Sequence, residues 1–256
     1  MTALLEGAAL VVAGAGSGLG REVAEVALRE GARVMLAARS ASTLVGVASA
    51  IDPAGERTAT CVTDLRDPEA CSRLVQATVA AFGGLDAVVT CAVAGDDLVG
   101  GLDGADLAEW RSLMETNLYG AMNVVAAAIP AMTSGGSIVF IGSQAAFYPN
   151  VVQTGYAASK GALVSAARHL AAELGPRGIR VNTVAPGWMW GPSLERSLGA
   201  ATGDAQATIA MVGKRLPLRT VAEDGDVAEA AAFLSSRRAK SITGQCLLVN
   251  SGEYPG

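Results

Sequence analysis

The sequence predicts an α/β fold in which seven parallel strands form a doubly wound sheet with helices on both faces. Short apolar runs alternate along the chain with segments of helical periodicity. The runs are apolar throughout, as expected of strands that helices cover on both sides. A glycine-rich turn separates the first run from the first helix. Together these observations indicate parallel strands joined by helical crossovers.

The individual elements follow from the apolar runs, the periodicity and the capping residues. Strands are predicted at 8–13, 32–37, 58–62, 87–90, 137–141, 180–184 and 246–249. Helices are predicted near 19–30, 41–50, 68–82, 106–132, 155–174 and 224–234. Asp67-Pro68 is a typical helix start, and Asp106 with Glu109 has the spacing of a capping box. The segment at about 187–217 does not fit the alternation, so we expect a substrate lid there, within a single domain of residues 1–256.

Composition and charge exclude several classes of function. The 256 residues are 51% hydrophobic and 17% charged, with a net charge of −5. This balance is typical of a folded protein with a large core. The largest basic cluster is Arg237-Arg238 with Lys240, so no nucleic-acid partner is expected.

The cysteine pattern and the apolar segments exclude further classes. Four cysteines lack CxxC spacing and there is one histidine, so we expect no metal site, no disulfide framework and a reducing, cytoplasmic setting. The first residues lack the basic segment of a signal peptide. Residues 116–159 carry no charge, but Pro130, Gly135-Gly136 and Pro149 interrupt them, so no membrane span is expected.

Tyr156 and Lys160 are the strongest candidates for chemistry. They stand four residues apart in a predicted helix, which places both side chains on one face. An ammonium beside a phenol favours the phenolate. A free tyrosine has a pKa of about 10, so one that acts near neutral pH needs a pKa lower by roughly 3. With Lys160 as the cation, Tyr156 is predicted to exchange a proton with a substrate oxygen. Taken alone, the spacing also fits a packed tyrosine and a solvated lysine.

The glycine-rich loop predicts nucleotide binding. Gly14-Ala15-Gly16-Ser17-Gly18-Leu19-Gly20 lies between the first strand and the first helix. Glycines allow the backbone to approach a pyrophosphate, and the helix N-terminus offers N–H groups to the anion. The alternative is a tight turn that only packs.

These motifs together resemble the short-chain dehydrogenase/reductase superfamily, in its shorter single-domain branch, which has a Rossmann-like fold. The spacing Gly14-x3-Gly18-x-Gly20 matches that family's loop rather than GxGxxG, and Tyr156-x3-Lys160 makes the likeness specific. The resemblance covers essentially the whole chain. Its further matches are Ser143, thirteen residues before Tyr156, then Asn117-Leu118-Tyr119-Gly120, Asp64-Leu65, and the segment 180–187 that ends in Pro186-Gly187.

The resemblance implies a role for each residue of a catalytic tetrad. Tyr156 is expected to be the general acid and base, and Lys160 to lower its pKa and bond the nicotinamide ribose. Ser143 would orient and stabilise the substrate oxygen, and Asn117 would help to hold a water that links Lys160 to solvent. Hydride would pass between nicotinamide and a carbonyl or carbinol carbon. The implied cofactor-binding residues are Gly14, Gly16, Ser17, Gly18, Leu19, Gly20, Arg39, Asp64, Leu65, Ala92, Tyr156, Lys160, Pro186, Gly187 and Met189.

The sequence departs from the family pattern at three places. Ala13 replaces the threonine before the glycine loop. Thr90-Cys91-Ala92-Val93 replaces the family's NNAG after the fourth strand, a segment that steadies the sheet and walls the adenosine side. The threonine that usually contacts the nicotinamide carboxamide aligns with Gly191, for which Ser193 is a candidate replacement.

Residues at the end of the second strand predict a preference for NADP(H). An acid there would accept from the ribose 2′-OH of NAD, but Ala38 occupies that position and Arg39 follows it. A guanidinium can face a 2′-phosphate with a charge-assisted hydrogen bond. NAD(H) remains possible, because Ser17 stands where many NADP-type loops carry a second basic residue and Arg39 also fits a solvated surface side chain.

The resemblance also suggests a substrate side and an assembly. Gln144, Phe147, Tyr148, Trp188 and Trp190 are expected to line a cleft for an apolar or aromatic ketone or its secondary alcohol, although some of them also fit simple packing of the lid. Apolar helices near 113–132 and 155–174 suggest a homotetramer. Alternatives are a 3-oxoacyl thioester reductase and a nucleotide-binding regulator without turnover. An enoyl reductase is less favoured, since that branch spaces its tyrosine and lysine more widely.

Overall fold

A computed structural model describes residues 3–94, 102–103, 106–149 and 153–254, without the side chains at 193, 196, 197, 200 and 201. The strands are β1 (Ala9–Ala13), β2 (Arg33–Ala38), β3 (Thr58–Val62), β4 (Leu85–Thr90), β5 (Met132–Ile141), β6 (Arg180–Pro186), β7 (Met189–Trp190), β8 (Ala222–Glu223) and β9 (Cys246–Val249). The helices are α1 (Leu19–Arg29), α2 (Ala41–Ile51), α3 (Pro68–Phe82), α4 (Leu107–Met114), α5 (Ala121–Ala128), α6 (Thr154–Leu174), α7 (Pro192–Thr202), α8 (Ala205–Gly213) and α9 (Asp224–Ser235).

Seven of the strands form one parallel sheet in the order β3-β2-β1-β4-β5-β6-β9. Helices cover both of its faces, so the predicted fold class is confirmed. Alternate residues of β1 show how the two faces are filled: Leu10 and Val12 pack with α1 and α9, whereas Val11 and Ala13 pack with α3, α5 and α6. Burying an aliphatic side chain of this kind stabilises the fold by roughly 1.5–3 kcal/mol.

The strand order reverses beside β1, and this positions the cleft. From β1 the chain moves outward through β2 and β3, and then returns to add β4 on the opposite side. The loops that leave β1 and β4 therefore diverge at the carboxyl edge of the sheet. A crevice at such a switch point is where open α/β sheets bind ligands.

The region predicted as one helix over 106–132 is interrupted. α4 gives way to a π-helical turn at Glu115–Gly120, then to α5, and a short 3₁₀ turn ends at Ala131. β5 begins at Met132, five residues earlier than expected, because Met132 already pairs with Leu85 across an irregularity in the register. Periodicity alone cannot locate a π-helical turn, since its residues remain helical and apolar.

The segment at 187–217, which does not fit the alternation of strands and helices, has its own secondary structure outside the seven-stranded sheet. β7 pairs with β8 in a separate two-stranded sheet, and α7 and α8 lie between these two strands in the sequence. In the described ranges, no helix is both long and apolar enough to cross a membrane. Within the same residues, no group of three or more histidine, cysteine or acidic side chains gathers as a metal site would require.

Candidate active site

The glycine loop joins β1 to α1, and its glycines have two different tasks. Gly14 has a φ of +103° and lies so close to Ala92 that a side chain at this position would collide with its backbone. Gly20 is pressed against the carbonyl of Gly14 in the same way. Packing within the protein therefore requires glycine at both positions.

Gly16 and Gly18 instead leave space on the cleft side. A Cβ at Gly16 would meet nothing within 4 Å, and one at Gly18 would meet only Asp224, at 3.7 Å. Gly18 is the N-cap of α1 and no side chain bonds the first turn there. The Arg21 N–H donates to the Gly18 carbonyl, whereas the N–H groups of Leu19 and Gly20 remain available to an anion, and the loop fits the phosphates of a dinucleotide.

A cleft of about 540 Å³ extends from this loop across the carboxyl edge of the sheet. Every predicted cofactor residue contributes to its lining, as do Ser143, Tyr156 and Lys160 of the predicted tetrad and Gln144 and Trp188 of the predicted substrate set. The structure thus brings together the glycine loop, the end of β2, the end of β5 and the start of α6, which are far apart in the sequence.

Tyr156 and Lys160 lie on the same side of α6, facing the cleft. The Lys160 ammonium is 5.8 Å from the centroid of the Tyr156 ring. Lys160 is only 2% exposed, and its Nζ donates a hydrogen bond of 2.9 Å to the carbonyl of Ile141 at the end of β5. A cation held in a poorly solvated place acts strongly on a neighbouring ionisable group.

Asn117 lies in the π-helical turn and does not line the cleft itself. Its Oδ1 accepts from the Ala94 N–H at 2.8 Å, and its Nδ2 donates to the Ala94 carbonyl at 3.1 Å and to Ser159 Oγ at 3.0 Å. Ser159 Oγ in turn donates to the carbonyl of Tyr156 at 2.7 Å. Asn117 therefore ties the segment after β4 to the helix that carries Tyr156, and both of its amide hydrogens are engaged.

Ser143 and Gln144 follow β5 at the other wall of the cleft. Ser143 Oγ caps a short 3₁₀ turn by accepting from the Ala145 N–H at 3.2 Å. Gln144 Nε2 donates to Glu253 Oε2 at 2.6 Å, and Gln144 Oε1 accepts from Asn250 Nδ2 at 3.3 Å. The residues just after β9 thus contact the part of the cleft wall that Gln144 forms.

Two arginines stand at the opposite end of the cleft. Arg39 lines it directly after β2, next to Ala38. Arg66 also lines it and forms a bidentate pair with Asp64, with distances of 3.0 Å from Nε and 2.6 Å from Nη2. Arg66 lowers the pKa of the Asp64 carboxyl to about 2, and the charge of Arg39 adds to the effect.

Comparisons with known proteins agree with this geometry. A family model described as enoyl-(acyl carrier protein) reductase matches residues 14–253. The 3-oxoacyl-acyl-carrier-protein reductase FabG of Vibrio cholerae is 32% identical over 253 residues, covering 98% of each chain. A crystal structure of a short-chain dehydrogenase/reductase, glucose/ribitol dehydrogenase from Brucella melitensis, superposes with a TM-score of 0.90 at 30% identity and covers both chains completely.

The chain belongs to the short-chain dehydrogenase/reductase superfamily of NAD(P)-dependent oxidoreductases. Another relative, the A-factor type gamma-butyrolactone 1′-reductase of Streptomyces virginiae, is 35% identical over 247 residues, with 94% of this chain and 93% of its own covered. These relatives differ in the substrates that their names give, so membership establishes an NAD(P)-dependent oxidoreductase and leaves the substrate open.

In this short-chain dehydrogenase/reductase, three of the predicted substrate residues are not among the described residues that line the cleft. They are Phe147, Tyr148 and Trp190. Tyr148 stacks on Tyr254 with ring centroids 4.0 Å apart, and Phe147 is exposed. The side chain of Ser193, the suggested replacement for the family threonine, lies outside the described part of the chain.

Sequence reasoning missed two titratable groups of the cleft besides Arg66. Cys91 lies where the family has an asparagine, and burial raises the pKa of its thiol to about 12 despite the charge of Lys160. Asp224, the first residue of α9, also lines the cleft. Neither has a signal in the sequence, because an acid at a helix start and an isolated cysteine are both ordinary.

Proposed function

We propose that the protein is an NADP(H)-preferring oxidoreductase that transfers hydride between nicotinamide and a ketone or secondary alcohol, with Tyr156 as general acid and base. The observation that carries this proposal is the buried ammonium of Lys160 beside the Tyr156 ring. Both line a cleft that begins at an anion-binding glycine loop.

Each residue of the tetrad has a separate proposed role in the reaction. A bound nicotinamide would donate or accept the hydride. Tyr156 would give its phenolic proton to the substrate oxygen during reduction and take it back during oxidation. Lys160 would stabilise the phenolate, and Ser143 would hold the substrate oxygen by a hydrogen bond. Asn117 would fix the geometry, because it bonds both Ala94 and Ser159.

The preference for NADP(H) rests on charge at the adenosine end. Arg39 lines the cleft directly after Ala38, which takes the position of the acid in an NAD-type enzyme, and Arg66 supplies a second guanidinium nearby. Both would attract a 2′-phosphate. The competing carboxylate of Asp64 is already paired with Arg66.

The second candidate is a 3-oxoacyl thioester reductase on the same scaffold. It is favoured by the relatives that bear this name and align over almost the whole chain. Two other candidates are weaker: the close spacing of Tyr156 and Lys160 disfavours an enoyl reductase, and a regulator without turnover has no need for the complete tetrad.

Several broader expectations belong to the same proposal. We propose one domain over residues 1–256, with the segment at 187–217 as a lid. A homotetramer is supported by apolar side chains that remain exposed in the described chain, such as Tyr119 and Leu247, the latter in the edge strand β9. The four cysteines are free thiols, which suits a cytoplasmic setting.

The test follows NADPH and NADH absorbance against ketones, diketones and β-ketoacyl thioesters. We expect turnover with at least one class, with NADPH preferred, and a loss of 10²–10⁴-fold or more in Tyr156→Phe. The matched control is Tyr119→Phe, because Tyr119 is 52% exposed and does not line the cleft. Equal rates for the wild type and Tyr156→Phe would remove Tyr156 from the chemistry, and a preference for NADH would refute the charge argument.

A further inference from the structure

Asp224 is a buried carboxyl group that faces the cleft. It is the first residue of α9, it is 7% exposed, and it lines the same cavity as the glycine loop. Within the described residues its carboxylate has no hydrogen-bond or ion-pair partner. An acid without a partner at such depth costs free energy unless it remains protonated or a ligand supplies the partner.

The position of the carboxyl is defined by two glycines. A Cβ on Gly18, at the start of α1, would lie 3.7 Å from Asp224 Oδ2. A side chain at Gly191 would collide with both carboxyl oxygens. The Asp224 side chain therefore fills the place that a residue at 191 would take, next to the N-terminus of the helix that the loop presents to an anion.

The surroundings of Asp224 favour its neutral form. Burial raises its pKa to about 6, and the negative charge of Glu22 on α1 acts in the same direction. Among the described side chains on α1, α7 and α9, the other charged groups are paired or exposed. Arg21 pairs with Glu25 through Nη2, although its Nε is buried without a partner in the described chain, and Arg29 pairs with Glu229. The exposed acids are Glu195, Glu223 and Asp226.

We propose that Asp224 binds the pyrophosphate of the dinucleotide as a carboxylic acid that donates its proton to a phosphate oxygen. This inference rests on the proposed function, which supplies the dinucleotide. A carboxylate at this position would repel the phosphates, whereas a carboxylic acid adds a donor to the N–H groups of α1. Binding therefore takes up a proton, and affinity falls as the pH rises above the range in which free Asp224 is protonated.

The experiment measures binding of NADH and of ADP-ribose between pH 5.5 and 8.5. Both ligands carry the pyrophosphate and lack the phosphate monoester of NADPH, which would itself titrate near pH 6. For the wild type we expect Kd to rise at least tenfold from pH 6 to pH 8 with each ligand. Calorimetry in two buffers of different ionisation enthalpy should show uptake of about one proton at pH 7.5.

Two variants isolate the contribution of Asp224. In Asp224→Asn the amide donates at every pH, so Kd should be nearly independent of pH, proton uptake should vanish, and binding at pH 8 should be tighter than in the wild type. Asp204→Asn removes an exposed carboxylate that caps α8 and should behave as the wild type. Thermal denaturation of each variant confirms that it is folded.

The outcomes separate the two proposals. If neither the wild type nor Asp224→Asn binds NADH, NADPH or ADP-ribose at any pH, the proposed function fails. If both bind and the wild type shows no pH dependence and no proton uptake, only the assignment of Asp224 is overturned. A pH dependence with NADH that is absent with ADP-ribose also overturns it, because the contact then belongs to the nicotinamide half.

Discussion

The proposed nucleotide side and the proposed substrate side of the cleft are built in different ways. On the nucleotide side the backbone sets the shape: Gly14 and Gly20 are fixed by contacts with neighbouring main chain, and Gly16 and Gly18 open onto the cavity. On the substrate side the shape depends on side chains from distant segments, such as the pair between Gln144 and Glu253. Backbone requirements are visible in a sequence as glycines at fixed spacing, whereas a side chain from a remote segment leaves no local signal.

The largest expected effect tests the two kinds of glycine against each other. Gly14→Ala forces a Cβ against Ala92 in a backbone conformation that L-residues rarely adopt, so we expect a loss of roughly 3 kcal/mol or more in unfolding free energy. Gly16→Ala meets no protein atom and should leave stability within about 1 kcal/mol while weakening dinucleotide binding at least tenfold. Urea unfolding and ligand titration measure the two quantities. Similar stability losses in both variants would contradict the distinction.

The next effect concerns stability against pH. The pKa of Asp224 is raised from 3.8 to about 6 in the folded protein. A raised pKa means that the group adds no cost below about pH 4, destabilises the fold progressively as the pH rises from about 4 to about 6, and contributes a constant cost above that. At pH 7.5 we expect Asp224→Asn to be more stable than the wild type by roughly 2–3 kcal/mol.

That advantage should shrink as the pH falls toward 4. Unfolding of the ligand-free protein by urea at several pH values provides the measurement, with Asp204→Asn as the control. A difference in unfolding free energy between Asp224→Asn and the wild type that stays constant from pH 4 to pH 7.5 would show that the buried Asp224 carboxylate does not destabilise the protein.

A smaller effect tests the adenosine end of the nucleotide side. Arg39→Ala removes one guanidinium from the proposed 2′-phosphate site and should reduce the ratio of NADPH to NADH affinity about tenfold, because a charged hydrogen bond contributes roughly 1.5–3 kcal/mol. Arg66→Ala should reduce the ratio less, since Arg66 is already paired with Asp64. Fluorescence titration with both cofactors gives the ratios. An unchanged ratio in Arg39→Ala would leave cofactor preference without its proposed cause.

The smallest effect is expected on the substrate side. Glu253→Ala frees Gln144 from a 2.6 Å hydrogen bond and should change KM about three- to fivefold, with kcat within a factor of two. Tyr254→Ala, which removes the stack on Tyr148, serves as the companion variant. Steady-state kinetics on the best ketone found give both values. A large fall in kcat in either variant would mean that the contacts of Glu253 and Tyr254 affect the chemical step as well as substrate binding.

The sequence predicted the sheet and the glycine loop because both depend on local, repeated patterns. The β1–α1 loop and the pair Tyr156 and Lys160 were located by spacing alone, and the structure places them on one cleft. The break in the predicted helix at 106–132 escaped prediction because a π-helical turn has no compositional signal. Asp224 was not predicted either, because its carboxyl group occupies the space left by the absence of a side chain at Gly191, 33 positions earlier in the chain.

The π-helical turn at Glu115–Gly120 has a consequence for how this segment tolerates change in length. A wide turn holds one residue more than an α-helical turn, so the helices on its two sides are out of phase by about 100°. Deleting a single residue there would restore a regular helix and rotate α4 against α5 by that angle. Either the apolar stripe of α5 or the amide of Asn117 would then lose its contacts. A one-residue deletion in this turn would therefore disrupt either the packing of α5 or the hydrogen bonds of Asn117.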